Sequence, residues 1–84
     1  MDGTRTVGMT DWHTKSIYID KHLRGAFLEK VLTHEICHAF CFSYNIIMDI
    51  EQEEFLANWI ATYGRQVIEI LDNLLYNKIK KRSF

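Results

Sequence analysis

The apolar positions along the chain change their period once. In the N-terminal quarter they alternate: Ile17 and Ile19 fall on one side of an extended segment and Tyr18 on the other, the two-residue repeat of a strand. The pattern predicts two short strands, residues 5–11 and 16–20, joined by a hairpin turn at 12–15. From Gly25 the repeat becomes helical. Phe27, Val31, His34, His38 and Cys41 follow one another at steps of three and four, while Leu28, Leu32, Ile36, Ala39 and Phe40 fill the adjoining faces. A helix apolar nearly all round is a buried one, so residues 25–44 are expected to form the central element, with Asn45 as its stop. Asp49 and Gln52 have capping-box spacing and open a second helix. It runs through Phe55, Trp59, Ile60 and Tyr63, and past Gly64 towards Leu75 and Ile79. Gly64 costs about 1 kcal/mol relative to alanine inside a helix, which marks it as a bend or a point of close packing. Trp12, Trp59 and the phenylalanines are expected in the core. The fold class that follows is α+β, one domain over residues 1–84: a small β-hairpin or sheet packed on two or three helices.

Composition limits what such a domain can be. With 84 residues, 48% of them apolar, it has one modest core, and a core of that size gains from a staple. No proline interrupts the helices. A net charge of -1 gives no reason to expect nucleic acid or a membrane surface as partner; the basic stretch 78–82 is read as a solvated helix end. No apolar run approaches a membrane span, and the polar, glycine-containing start is unlike a signal peptide. Cys37 and Cys41 lie four apart on one helix, where they are expected as small buried hydrophobes rather than a disulfide. A reduced, cytoplasmic protein is the expectation.

The chemistry is concentrated in His34-Glu35-Ile36-Cys37-His38, an HExxH segment. Two histidines four apart on a helix project from one face and can share a metal ion. Glu35, about 100° round from His34, points elsewhere and stands where a general base meets a zinc-bound water. Two imidazoles and a carboxylate on an otherwise apolar helix are costly without a partner, and a metal supplies one. A catalytic zinc takes three protein ligands. The continuation of the motif that would supply a third histidine finds Tyr44 in its place, so the third ligand is sought among Glu51, Glu53 and Glu54. In an antiparallel helix pair with a short loop, Glu53 and Glu54 both come level with His38, within about one residue's rise of 1.5 Å. Glu54 shares its stripe with Ala57 and Ala61, small residues that let the helices approach; Glu53 shares its face with Ile60 as well. Glu54 is therefore preferred. Asn58, one turn further on, is a candidate to hold the free nitrogen of a ligand histidine.

Three stretches resemble the ImmA/IrrE-type zinc peptidase domains of bacterial mobile elements and phages: residues 16–20, residues 31–39 around the HExxH, and residues 53–61. The resemblance implies a zincin-like, gluzincin arrangement with His34, His38 and Glu54 on Zn2+, Glu35 as catalytic base, and the strand around Ile17 to Ile19 as the edge that aligns an extended substrate. It further implies a protein or peptide substrate, such as a transcriptional regulator of a mobile element. This chain has Cys37 where the family often has glycine, and corresponds to a minimal core. A reading from another class is a non-catalytic, zinc-stabilised protein-binding module, in which the metal contributes folding energy and Glu35 has no chemical task.

Overall fold

The computed structural model describes residues 7–78. Two strands, β1 (Gly8–Asp11) and β2 (Ser16–Ile19), form an antiparallel hairpin with Met9 opposite Tyr18 and Thr10 opposite Ile17. They are followed by helices α1 (Gly25–Ser43) and α2 (Ile50–Asn73), and a π-helical turn, Leu74–Lys78, closes the described chain. The fold is thus a small α+β unit of one hairpin and two helices. Residues 5–6 of the expected first strand, and 79–82 of the expected helix end and basic stretch, lie outside the described residues. Among the described residues no helix is long and apolar enough to cross a membrane.

Local chemistry sets each junction. Asp11 Oδ1 accepts from the amides of His13 and Thr14, and Lys15 takes the left-handed conformation, φ 55°, so the hairpin turns at residues 12–15. α1 ends in a Schellman motif. Asn45 stands at φ 54°, the Ile46 amide donates to the Cys41 carbonyl at 2.8 Å, and the Asn45 amide donates to Phe42 at 3.2 Å. Four residues after Asn45, Asp49 caps α2. Its side chain accepts from the Gln52 amide at 2.9 Å, and the Gln52 side chain accepts from the Asp49 amide, completing the capping box. The short loop returns α2 antiparallel to α1: His38 meets Glu53 and Glu54 near the loop, and Glu29 pairs with Arg65 further out. α2 runs unbroken through Gly64, where an added Cβ would meet only the Ile60 side chain of its own helix within 4 Å. Gly64 therefore neither interrupts α2 nor marks a close approach between helices.

α1 lies between the hairpin and α2 and is central in that sense, but it is not buried all round. Among the described residues the buried apolar side chains are Val31, Cys41 and Ala57. Ile36 is 48% exposed, Phe40 52% and Phe55 71%. Trp12 and Trp59 are also exposed, which corrects the expectation that the large aromatics form the core. The reason is the number of layers. One hairpin and one helix cover two sides of α1 and leave its remaining faces open. Cys41 is buried as expected, whereas Cys37 is only half-buried.

Contact between hairpin and helix depends on Gly8. A Cβ there would stand 2.7 Å from Val31 Cγ1 and 3.1 Å from Glu35 Cγ. Valine is stiff at χ1 and this one is enclosed, so it has little room to yield. Gly8→Ala is expected to destabilise the fold by about 1–3 kcal/mol, the usual cost of overpacking. Chemical denaturation of parent and variant checks this; an unchanged midpoint would show that β1 does not press on α1 here.

Candidate metal centre

The two histidines of α1 face α2. Their Nε2 atoms lie 3.1 Å apart, with the rings edge-on at 4.8 Å between centroids. Glu54 reaches both from α2: one carboxylate oxygen is 2.7 Å from His38 Nε2 and the other 3.4 Å from His34 Nε2. The approach is permitted by Ala57, completely buried between the helices three residues on. Among the described residues, His34, His38 and Glu54 form the group of donors close enough to share one metal ion.

Their spacing tests the fit. Two ligand atoms on a tetrahedral zinc, with bonds of about 2.0–2.1 Å, stand about 3.3 Å apart. The two Nε2 atoms, 3.1 Å apart, already stand near that spacing. Glu54 meets them with different oxygens, and one donor atom from each of the three residues lies within 4.8 Å of the others, so the donor triangle closes on an ion by a modest side-chain adjustment. Two imidazoles and one carboxylate are a donor set suited to zinc, and the residues fit the ion. The triangle opens onto a cleft of about 720 Å³, lined also by Gly8, Thr10, Glu35 and Ile46.

Glu53 does something different from its neighbour. Its Oε2 lies 2.6 Å from His38 Nδ1, on the far side of the same ring. Consecutive helical residues diverge by about 100°, so adjacent glutamates can reach opposite edges of one imidazole. Asn58 stands one turn further along α2, beside His34 and Val31 at a neighbouring cavity. Among the described residues no hydrogen bond joins its side chain to His34 or His38; its carbonyl accepts from Thr62.

Glu35 turns away from the donor triangle towards the hairpin. Its Oε1 is 2.6 Å from Thr10 Oγ1, and the same hydroxyl is 3.0 Å from the Glu35 carbonyl oxygen. Thr10 belongs to β1, and it is β1, through Gly8, Met9 and Thr10, that borders the cleft. Ser16 and Ile17 of β2 line a different cavity, with Ala39 and Ser43. The strand beside the metal centre is therefore β1, not the segment around Ile17 to Ile19. The hairpin is two-stranded, and its order leaves β1 between β2 and the cleft.

His13, His22, Tyr63 and Arg65 are not among the residues lining the cleft. His13 stacks on Trp12 in the turn, His22 is exposed, Tyr63 lies against Trp59, and Arg65 pairs with Glu29. Burial, then the adjacent Cys41 and the Glu53 and Glu54 carboxylates, push the Cys37 thiol up to about 11. Among the described residues neither cysteine belongs to the group of donors close enough to share an ion. Two contacts were not foreseen from sequence. Thr10 has no sequence signal, because nothing local ties it to a helix residue 25 positions away. For Glu53 a signal exists, since ligand histidines regularly have a partner on the second ring nitrogen; the contact falls to Glu53 rather than to Asn58.

Comparison of the chain with family models, with curated proteins and with solved structures finds no match.

Thr10→Val keeps the shape and removes the hydroxyl. It is expected to cost about 1 kcal/mol, the net value of one part-buried hydrogen bond, measured by denaturant unfolding. No loss of stability would mean that the Thr10–Glu35 contact is not formed in solution.

Proposed function

We propose that this chain is a zinc metallopeptidase of the gluzincin type with a zincin-like core, similar to the ImmA/IrrE-type domains. The observation that carries the reading is one arrangement: His34, His38 and Glu54, drawn from two helices, bring donor atoms within 4.8 Å of one another on a cleft that Glu35 also lines. Zinc bound there would supply a Lewis acid for the scissile carbonyl and a water acidified to a pKa of about 7.

The protein's own residues take the other roles. Glu35 accepts the proton of the attacking water and passes it to the leaving amine. Thr10 orients the Glu35 carboxylate from the strand side. Pairing in an antiparallel hairpin alternates along the strand. Val7 accepts from the Asp20 amide, so Met9 and Asp11 also turn their backbone groups to β2. Gly8 and Thr10 turn theirs outward, beside the cleft. An extended peptide would pair with that outer edge and pass over the donor triangle. The substrate class is a protein or peptide, and the resemblance favours a regulatory protein such as a mobile-element repressor, in the cytoplasm.

One observation favours the second reading, a zinc-stabilised protein-binding module: the exposed apolar faces of both helices are large for so small a domain. Glu35 decides between the two. Glu35→Gln should leave zinc content and fold unchanged and lower peptide hydrolysis by about 10²–10⁴-fold. Cleavage at the parent's rate would remove the enzyme reading and leave the binding module. Loss of zinc in that variant would instead make Glu35 a ligand.

Because the ligands come from two helices, metal binding and folding are coupled. Thermal melts of zinc-loaded and chelator-treated protein should separate clearly, the loaded form melting higher. Coincident melts, with metal content verified in both samples, would contradict a zinc site that joins α1 to α2.

A further inference from the structure

We infer that Glu53 is the positioning residue of the metal centre: it holds His38 by Nδ1 so that Nε2 is presented to the ion. The inference rests on the zinc reading of His34, His38 and Glu54.

The argument begins with the ring. An imidazole that hydrogen-bonds through one nitrogen is fixed in orientation, and the other nitrogen is left to coordinate. His38 has a carboxylate oxygen at each of its nitrogens, Glu53 at 2.6 Å from Nδ1 and Glu54 at 2.7 Å from Nε2. Nε2 is also the atom that faces His34, 3.1 Å away, so the Nε2 side is the metal side and the Nδ1 side is the back. Glu53 is therefore on the wrong edge of the ring to be a ligand together with His38 Nε2. It is not an ordinary solvated helix acid either. Its side chain is 21% exposed against 46% for Glu54, and it is held against a histidine that is itself 15% exposed. A carboxylate on Nδ1–H keeps that proton in place and makes Nε2 a better donor to a cation. Two vicinal glutamates on α2 thus share one histidine, one in front and one behind.

The experiment compares zinc affinity of the parent, Glu53→Gln, Glu53→Ala and Glu54→Gln by competition with a chromophoric chelator. It also records the cobalt(II) absorption spectrum of each and the ring-nitrogen NMR signals of His38 in the zinc-loaded protein. Glu53→Ala is expected to keep a stoichiometry of one zinc per chain and bind it about 10–100-fold more weakly. Glu53→Gln should fall between, since its amide oxygen still accepts from Nδ1–H without the charge. The cobalt spectrum should keep its band pattern in both, because no ligand is lost, while the Nδ1 proton of His38 should exchange faster with solvent in Glu53→Ala. Glu54→Gln should weaken the site and change the cobalt spectrum. If Glu53→Ala fails to fold, the Glu53→Gln affinity and the His38 signal of the parent decide. Equal zinc affinity in parent and Glu53 variants overturns the inference and leaves the zinc site standing. A changed cobalt spectrum on altering Glu53, with none on altering Glu54, also overturns it by exchanging their roles. A parent that binds no zinc removes the inference and the reading beneath it together.

Discussion

His38 has a carboxylate at each ring nitrogen, and the pairing of the two helices depends on that contact. Among the described residues few apolar side chains are buried, Val31, Cys41 and Ala57, so apolar burial alone gives α1 and α2 a limited hold on one another. Near the loop the hold is polar: two imidazoles and two glutamates converge. Groups of that kind brought together in a half-buried place favour a cation among them. The same contact draws the hairpin in, because the helix face that carries His34 and His38 also carries Glu35, which meets Thr10 of β1.

Much of this architecture is legible in the residues. The switch from alternation to a helical step separates hairpin from helices at Gly25. Asp11 and Lys15 turn the hairpin, Asn45 stops α1, and Asp49 with Gln52 starts α2; each acts through its nearest neighbours, so a local reading suffices. The level of Glu54 beside His38 follows from the same boundaries, since two helices of known ends joined by a short loop bring predictable positions together. Placing Glu54 rather than Glu53 at Nε2 required the face as well, and the alanine stripe supplied it.

What the residues did not disclose depends on the whole chain. An apolar helix was expected to be buried, yet Ile36, Phe40 and Phe55 are exposed because burial needs covering layers, and the described chain has one hairpin and two helices to provide them. The resemblance points to the strand around Ile17 to Ile19 as the one beside the cleft, whereas β1 borders it. Alternation shows that a segment is a strand but not which side of a hairpin borders a site, and Gly8, small enough for β1 to press against Val31, decides that. Thr10 acts across elements, through a contact that no spacing rule reaches; the level of Glu53 beside His38 follows from the helix boundaries, but the edge of the ring it takes does not.

The loop between the helices is locked at both ends, by the Schellman motif at Asn45 and the capping box at Asp49. Each lock fixes where its helix begins or ends in sequence, and therefore the angle at which its side chains leave the axis. Glu53 and Glu54 are separated by a single step of about 100°, so their division of labour is a matter of rotational phase. A change of residue in the loop leaves that phase intact. One residue more or fewer would turn the helix by the same step, bringing one carboxylate to the other's direction and carrying the second away from the ring, which makes the loop's length, more than its composition, the quantity on which the site is indexed.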